Sequence, residues 1–237
     1  MTSALRLEGR LALVTGASRG IGFAVARRFA KEGAHVIACA RTIGGLEELD
    51  DTIKQDGIGQ CTIAKMDLTK FADIDAMGAS IFQRFGKLDI LVGNAGSLGE
   101  LTPVSHISPK LWDRTFAINV TANYRLMRSL DVLLRQSEAG RAIFTTSAVV
   151  QENRPFWGLY TATKAALEAL VKSYAGELKQ TNVNVNLIDP GPVATALRAK
   201  AYPGEDKGKL RLPEDITEAF VDLAESGSAV NGDVIKA

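Results

Sequence analysis

A tyrosine and a lysine four residues apart, Tyr160 and Lys164, are the residues of this chain best suited to acid–base chemistry. Four residues span about one turn of an α-helix, so the two side chains would share a face. A phenol has a pKa of about 10 and is a poor base at neutral pH, but a neighbouring ammonium group lowers that pKa. The pair could then exchange a proton with a ligand. The same spacing is common on ordinary helix surfaces, so by itself it assigns no function.

Two further polar residues fall where they could join this pair. Ser147 follows an apolar run that ends at Thr146, and the loop 151–158 can bring its hydroxyl to Tyr160. Asn119 lies on an apolar stripe of a predicted helix, where a polar side chain needs a hydrogen-bond partner. We expect these residues to meet in one site.

The elements that would position them alternate along the chain as short apolar runs and longer segments of helical period. This alternation predicts right-handed crossovers and an α/β fold, a doubly wound parallel β-sheet with helices on both faces in a single domain spanning 1–237. Ligands of such sheets bind beyond the carboxyl ends of the strands. The predicted strands are Leu11–Thr15, His35–Ala40, Cys61–Met66, Leu88–Gly93, Arg141–Thr146 and Asn182–Ile188.

A glycine-rich turn follows the first predicted strand and opens the first helix. Gly16 and Gly20 would let backbone N–H groups approach a pyrophosphate, and Gly22 would let the helix pack close to the strand. The Gly-x-x-x-Gly-x-Gly spacing is wider than the usual dinucleotide pattern, and turns use glycine for structure alone. The flanking strand and helix favour a dinucleotide site.

The end of the second strand indicates which dinucleotide would bind. An acidic residue there would bind the ribose hydroxyls of NAD, but this chain has Ala40 followed by Arg41. Arg19 lies in the glycine-rich turn, so two guanidinium groups could hold a 2′-phosphate. NADP(H) is therefore favoured, and NAD(H) stays possible because both arginines could be solvated surface residues.

Taken together, these motifs resemble the short-chain dehydrogenase/reductase family over nearly the whole chain. The resemblance rests on the glycine-rich turn, Asp67-Leu68-Thr69, Asn94-Ala95-Gly96, Asn119, Ser147, Tyr160-x-x-x-Lys164 and Pro190-Gly191-Pro192-Val193-Ala194-Thr195. It implies an oxidoreductase that moves hydride between a nicotinamide and a carbonyl or alcohol. An NAD-dependent alcohol dehydrogenase of the same family and a non-catalytic NADP-binding regulatory module are the alternatives. The cofactor half would cover about 1–140, and the catalytic and substrate elements about 141–237.

The resemblance also implies a role for each residue of the catalytic set. Tyr160 would be the general acid in reduction and the base in oxidation, and Lys164 would bind the nicotinamide ribose and lower the tyrosine pKa. Ser147 would hold the substrate oxygen, and Asn119 would anchor a water that links Lys164 to solvent.

The cofactor residues that the resemblance implies come from six loops at one edge of the sheet. Asp67 and Leu68 would meet the adenine, although Asp67 and Asn94 could instead form turns or cap strands. Val193 and Thr195 would fix the nicotinamide carboxamide. The full set is Gly16, Ser18, Arg19, Gly20, Ile21, Gly22, Arg41, Asp67, Leu68, Asn94, Ala95, Gly96, Tyr160, Lys164, Pro190, Gly191, Val193 and Thr195.

The chain departs from the family pattern at two places. Gly93 stands where the family has the first asparagine of Asn-Asn-Ala-Gly, which removes one amide from a position that stabilises the sheet. The chain also ends at Ala237, without the glycine-containing tail that helps one tetramer interface in the family. The first departure bears on stability and the second on assembly, and neither changes the catalytic set.

The segment 193–212 occupies the position of the family's substrate lid. Five basic and two acidic residues would suit an anionic substrate, but a solvated and mobile face is the favoured interpretation. Phe156 and Trp157 could line the substrate pocket or pack in the core. The substrate itself, and the direction of the reaction, do not follow from the sequence.

Bulk composition excludes several other classes of protein. The net charge of +1 gives no basic footprint for nucleic acid, and no run approaches the ~20 apolar residues of a membrane span. The N-terminus lacks a signal peptide, so we expect a cytoplasmic protein with small-molecule substrates and no metal site. Cys39 and Cys61 are then expected to be buried free thiols rather than a disulfide or a metal pair.

Two long predicted helices, Ser108–Ser137 and Gly158–Gln180, carry more apolar side chains than one sheet-facing stripe can use. The additional residues are Trp112, Tyr124 and Met127 on the first helix, and Ala169 and Tyr174 on the second. In the family these helices pair across a two-fold axis, so a homodimer or homotetramer is expected.

Overall fold

Parallel strands form one sheet through the middle of the molecule in the computed structural model, which describes residues 5–152 and 154–237. The strands are β1 (Leu11–Thr15), β2 (His35–Ala40), β3 (Gln60–Lys65), β4 (Ile90–Gly93), β5 (Gly140–Thr145), β6 (Val183–Asp189) and β7 (Val234–Lys236). Their order in the sheet is β3-β2-β1-β4-β5-β6-β7, and every neighbouring pair is parallel. The order reverses between β1 and β4, which creates a crevice at the carboxyl ends of these two strands.

Helices cover both faces of the sheet. They are α1 (Gly20–Lys31), α2 (Ile43–Asp56), α3 (Phe71–Phe85), α4 (Pro109–Phe116), α5 (Ala122–Arg135), α6 (Val149–Glu152), α7 (Gly158–Glu177), α8 (Ala196–Ala201) and α9 (Thr217–Ala224). Short 3₁₀ turns lie at Val104–His106, Lys207–Lys209 and Pro213–Ile216. One hydrophobic cluster packs α1, α2 and α9 on one face, and a second packs α3, α5 and α7 on the other. The predicted doubly wound α/β fold is confirmed.

The sequence located β1 and β2 correctly, because both are fully apolar runs with a clear stop. The start of β4 was predicted too early at Leu88. Asp89 stands before β4 and its carboxylate accepts a hydrogen bond from Leu11 N at 2.9 Å, so the ladder of β4 begins only at Ile90. The predictions for β3 and β5 were each one residue too late at both ends, and the prediction for β6 was one residue too early at both ends.

Strand β7 was not predicted. It has three residues, lies at the edge of the sheet and alternates exposed and half-buried positions, so it has no apolar run to reveal it. Its pairing with β6 places Ile235 opposite Ile188. The C-terminal segment thus completes the sheet rather than trailing from it.

The predicted helix Ser108–Ser137 is interrupted in the structure. Ser108 is its N-cap and accepts a hydrogen bond from Leu111 N, but a π-helical turn, Ala117–Thr121, separates α4 from α5. The 3₁₀ turn Pro213–Ile216 leads directly into α9 in the same way. Predicted helix Gly158–Gln180 ends earlier, at Glu177.

Both cysteines are free thiols. Cys39 is buried in β2, and Cys61 in β3 is partly exposed. Burial raises the pKa of the Cys39 thiol to about 12 and that of Cys61 to about 11, so neither is a reactive thiolate at neutral pH.

Among the described residues, no helix combines the length and the apolar character that a bilayer crossing requires.

Candidate active site

The glycine-rich turn and the first helix form the floor of the crevice at the carboxyl edge of the sheet. Gly16 has φ +69°, and a Cβ atom there would lie 3.0 Å from the backbone of Ala95. A Cβ at Gly22 would collide with the carbonyl of Gly16 at 2.3 Å, so this helix packs against the turn as the sequence predicted. A Cβ at Gly45 would likewise meet the Ser18 carbonyl at 2.4 Å, which shows that α2 packs against the same turn.

The loops after β1, β4 and β5 are joined through one threonine and one asparagine. The hydroxyl of Thr15 accepts hydrogen bonds from the backbone N–H groups of Asn94 and Ala95 at 3.0 and 3.1 Å. The Asn94 amide donates to the Thr15 carbonyl at 3.2 Å, and its oxygen accepts from the Thr145 hydroxyl at 3.4 Å. Asn94 therefore ties three strand ends together, the structural role that the sequence left open. Thr15 was missed, although a polar residue ending an apolar strand signals it.

Asp67 and Leu68, the candidate adenine-binding residues, lie in different environments. Asp67 accepts hydrogen bonds from the backbone and the hydroxyl of Thr69 at 3.0 and 2.8 Å, which makes a local turn. These bonds, with the nearby Arg41, hold the pKa of the Asp67 carboxyl below its usual value. Leu68 is buried at 4% exposure. The turn that we considered for Asp67 is present, and Arg41 lies close enough to influence its charge.

Residues after β6 approach the glycine-rich turn from the other side. The methyl group of Thr195 would lie 3.5 Å from a Cβ at Gly20, so the two loops meet across the crevice. Gly191 has φ +64° and its N–H donates to Asp189 at 3.1 Å, which shapes the turn that carries Pro190 and Val193. Thr195 caps α8 by accepting a hydrogen bond from Arg198 N at 3.2 Å.

The buried end of α7 carries Tyr160 and Lys164, the candidate acid–base pair. Tyr160 is 7% exposed and Lys164 is 4% exposed, and the lysine Nζ lies 5.7 Å from the centroid of the tyrosine ring. The predicted shared face is confirmed. Lys164 Nζ donates to the Thr145 carbonyl at 2.7 Å at the end of β5. Burial lowers the pKa of Lys164 to about 8, and the carboxylate of Glu168 opposes this shift.

The expectation that Lys164 lowers the tyrosine pKa stays a prediction, because other groups set the shift of the Tyr160 pKa. Burial and the nearby Asp189 carboxylate raise the pKa of Tyr160 well above its usual value, and the neighbouring Ser147 opposes them only in part. Removing a phenolate from water disfavours the charged form, and this burial is the largest cause of the shift. Tyr160 is therefore a neutral phenol, the form that can donate a proton.

Ser147 follows β5 and is half buried, and its hydroxyl lies 3.5 Å from the backbone N–H of Val149 at the start of α6. The residue before it is fixed on α7, because the Thr146 hydroxyl donates to the buried carboxylate of Glu168 at 2.7 Å. Lys164 and Glu168 thus hold two successive residues of the β5 end. Neither Thr146 nor Glu168 was singled out from the sequence.

Asn119 is fully buried in the π-helical turn. Its amide oxygen accepts from Ser97 N at 2.8 Å, and its nitrogen donates to the Ser97 carbonyl and to the Thr163 hydroxyl, both at 2.9 Å. Thr163 in turn donates to the carbonyl of Tyr160 at 2.8 Å. The polar residue on an apolar stripe therefore has the partners that the sequence required. A Cβ at Gly96 would lie 3.3 Å from the Asn119 amide oxygen and 3.9 Å from Lys164 Nζ, so the loop after β4 passes directly over both residues.

The missing asparagine of the family pattern has a steric explanation. A Cβ at Gly93 would lie 2.3 Å from the ring of Phe144 and 2.6 Å from the amide oxygen of Asn123. The Asn123 nitrogen donates to the Asn119 carbonyl at 2.8 Å. These two side chains fill the space of a residue 93 side chain, so glycine is required in this sheet.

The crevice fits a nicotinamide dinucleotide. The first turn of α1 has no acidic residue, and its N-cap, Arg19, makes no side-chain cap, so backbone N–H groups face the crevice and can hold a pyrophosphate. Arg19 and Arg41 are both exposed at this edge. Lys164 carries three N–H donors and uses one on Thr145, which leaves donors for ribose hydroxyls.

Comparison with known proteins agrees with this geometry. The model of the short chain dehydrogenase family matches residues 10–206. The chain belongs to the short-chain dehydrogenase/reductase family. It is 36% identical over 217 residues to the uncharacterized oxidoreductase YciK of Escherichia coli, covering 91% of this chain and 86% of that one. It is 37% identical over 190 residues to a sorbitol dehydrogenase of Cereibacter sphaeroides, covering 80% and 72%. As a short-chain dehydrogenase/reductase it is an oxidoreductase that acts on small molecules.

Solved structures of this family superpose closely on the chain. A short chain dehydrogenase from Shigella flexneri, crystallised with NADP, matches with TM-score 0.92 and 35% identity, covering 99% of both chains. One from Escherichia coli CFT073, crystallised with NADPH, matches with TM-score 0.92 and 35% identity, covering 99% of this chain and 98% of that one.

Proposed function

We propose that the chain is an NADP(H)-dependent oxidoreductase that moves hydride between nicotinamide and a carbonyl or secondary alcohol through Ser147, Tyr160, Lys164 and Asn119. One observation carries this proposal. A buried tyrosine and a buried lysine share a face of α7 beside the end of β5, where Ser147 lies, and the crevice that holds them fits a dinucleotide. A pure binding module has no need of a buried tyrosine–lysine pair.

Each residue of the proposed catalytic set has its own role in carbonyl reduction. Ser147 holds the carbonyl oxygen, and the neutral phenol of Tyr160 donates the proton that this oxygen needs as it becomes an alkoxide. Lys164 places its ammonium beside the phenol and fixes the end of β5 through Thr145. The bound nicotinamide supplies the hydride. Asn119 anchors the loop after β4 and, through Thr163, the turn of α7 that bears Tyr160.

The cofactor preference rests on charge at the second strand. Arg41 follows β2 where an NAD-specific site would place an acid, and Arg19 is exposed in the glycine-rich turn. Two structural relatives were crystallised with NADP or NADPH, which supports the same preference. A dehydrogenase working in the oxidative direction with NAD is the second candidate. Two relatives favour it by name, the sorbitol dehydrogenase and a galactitol 2-dehydrogenase of Agrobacterium fabrum, 33% identical over 245 residues.

We also propose that the chain assembles at least into a dimer through α4, α5 and α7. Trp112 and Tyr124 are 40% and 46% exposed, and Val132 further along α5 is 60% exposed. Ala169 on α7 is exposed too. Met127, which we had assigned to this surface, is instead 4% exposed and packs in the chain's own core, because it faces α3 and the sheet.

Tyr160→Phe tests the mechanism. Loss of the phenolic proton donor should lower kcat by at least ~10²-fold, while NADPH binding stays nearly unchanged. The measurement is steady-state reduction of a turned-over carbonyl, with fluorescence titration of NADPH as the binding readout. Near-normal turnover by the purified variant would remove Tyr160 from the mechanism.

A further inference from the structure

The side chains around Tyr160 form an apolar wall on the substrate side. Leu98 and Val149 are each 3% exposed and pack in one small cluster with Tyr160. They come from the loop after β4 and from α6, so two separate segments pack apolar groups against Tyr160. Partly buried residues complete the cluster: Leu101, Trp157 and Ala201.

Two aromatic rings join this wall to the lid. The Trp157 ring lies 6.1 Å from that of Tyr160 in an edge arrangement, and 5.6 Å from the ring of Tyr202. Tyr202 follows α8 in the segment 193–212, and its hydroxyl accepts a hydrogen bond from Arg154. A substrate that reaches Tyr160 must therefore replace contacts with Trp157 and with the lid. Phe156 beside them is 58% exposed, so core packing is wrong for Phe156.

The cations nearest this wall are already bound within the chain. Arg198 makes two hydrogen bonds of 2.6 Å to Glu205, and its guanidinium lies 3.8 Å from the Tyr202 ring centroid. Lys200 donates to the carbonyl of Gly99 at 2.5 Å. An anionic substrate would have to compete with Glu205 for Arg198, whereas Lys200 is exposed and uses only one of its three N–H donors on Gly99.

Two more basic residues, Arg154 before α7 and Arg211 in the lid, are held in the same way. Arg154 forms an ion pair of 2.5 Å with Glu152. Arg211 donates to the backbone carbonyls of Ala237 and Asp215 at 2.7 and 2.8 Å. Lys207 and Lys209 lie exposed on the outer 3₁₀ turn. The excess positive charge of the lid therefore does not converge on Tyr160.

We propose that the substrates are uncharged carbonyl compounds, or the matching secondary alcohols, whose carbonyl carbon carries a bulky apolar or aromatic group that packs against Trp157 and Tyr202. The proposal rests on the oxidoreductase function proposed above and adds its substrate class. When an apolar group of the substrate displaces the lid from Trp157, one apolar contact replaces another. A ketose or polyol would instead bury hydroxyl groups against Leu98, Val149 and Trp157 without hydrogen-bond partners.

A panel of carbonyl compounds with NADPH tests the class. We expect kcat/KM for an aryl ketone such as propiophenone to exceed that for fructose, and that for an aryl ketone bearing a carboxylate, by at least ~10-fold. Higher kcat/KM for the ketose or for the carboxylate would overturn the substrate class while leaving the oxidoreductase function intact.

Two variants test whether Trp157 determines the preference for an aryl ketone. Trp157→Ala should raise KM for propiophenone at least ~10-fold, with smaller effects on kcat, on 2-butanone and on NADPH binding. Phe82→Ala is the matched control, because Phe82 is a 59% exposed aromatic residue on α3. An equal loss for both ketones would mean that Trp157 only supports the fold, and would overturn its assignment.

A binding measurement separates this inference from the catalytic proposal. The chain has two tryptophans, so Trp112→Phe leaves Trp157 as the single reporter. Propiophenone should quench that emission in the Trp112→Phe, Tyr160→Phe variant with NADP bound. Quenching without turnover by the wild type would overturn the proposed function and support the substrate class. If propiophenone does not quench the emission but the wild type turns over ketoses, the substrate class is overturned and the proposed function is supported. If there is neither quenching nor turnover, both proposals are overturned.

Discussion

At the scale of single residues, Tyr160 and Lys164 show what burial does to a reactive pair. The same low exposure that raises the pKa of Tyr160 lowers the pKa of Lys164 to about 8, because each neutral form is easier to bury than its ion. The phenol therefore keeps its proton over the whole physiological range. The lysine is the member of the pair that titrates near neutral pH.

The pH dependence of activity should therefore follow Lys164. Its ammonium is present below pH 8 and lost as the pH rises through that value, whereas Tyr160 stays protonated. We expect kcat/KM for NADPH, which reports the free enzyme, to fall about tenfold per pH unit above this point. Lys179→Met, at an exposed position after α7, should keep the same profile. A flat profile to pH 10 would contradict the assignment.

Arg41 should decide between the two dinucleotides. Arg41→Asp places a carboxylate where a 2′-phosphate would lie, so NADPH binding should weaken by roughly 1–3 kcal/mol while NADH binding stays close to that of the wild type. Fluorescence titration with both cofactors measures the difference. Arg84→Asp makes the same charge change at an exposed position on α3 and should leave both affinities unchanged. Equal losses for NADPH and NADH in Arg41→Asp would make Arg41 a structural residue and end the NADP preference.

At the scale of elements, the π-helical turn and α7 are bound together as one unit. The turn directs Asn119 inward, and Asn119 then connects the loop after β4 to Thr163 and so to Tyr160. A regular α-helix through 117–121 would shift the register of the residues that follow. The site is thus assembled by packing between helices as well as by the strand ends.

Two threonines on α7 should respond in opposite ways to the same substitution. Thr163 is fully buried and bonded to Asn119 and Tyr160, so Thr163→Val should destabilise the fold by about 1–3 kcal/mol. The hydroxyl of Thr161 is buried and has no hydrogen-bond partner in the described chain, so Thr161→Val should be neutral or stabilising. Urea unfolding of both variants measures this. Equal destabilisation would show that side-chain shape, not hydrogen bonding, holds α7.

At the scale of the whole molecule, one sheet separates two apolar clusters, and α4 and α5 carry exposed apolar side chains that belong to neither cluster. Trp112 stacks on Phe116 with ring centroids 4.6 Å apart, and Tyr174 donates to Asp131 across α7 and α5 at 2.7 Å. Tyr174 is therefore partly used within the chain. Trp112, Tyr124 and Val132 keep their exposed area for a partner.

Sedimentation velocity at micromolar concentration tests the proposed assembly. The wild type should sediment as a dimer or larger, because an exposed apolar helix face is stabilised by burial in an isologous interface. Val132→Glu should shift the population towards monomer, whereas Phe82→Glu, on the exposed side of α3, should not. A wild-type monomer at these concentrations would rule the interface out.

The sequence alone predicted the features that depend on local pattern. Continuous apolar runs located β1 and β2, and glycines placed the turn before α1, because each follows from strand burial or backbone geometry. The residues of the proposed catalytic set, Asn119, Ser147, Tyr160 and Lys164, could be selected from the sequence by residue type and spacing. The short strand β7 could not be predicted from the sequence, because its three residues are held by pairing with β6 and show no apolar pattern of their own.

The tertiary structure decided what depends on distant neighbours. It raised the pKa of Tyr160 through burial and Asp189, showed that Phe144 and Asn123 fill the space at Gly93, and placed Met127 in the core. It also paired Arg198 of the lid with Glu205 and packed Leu98, Val149 and Trp157 around Tyr160. Burial, steric fit and ion pairing are sums over residues far apart in the chain, so no local spacing encodes them.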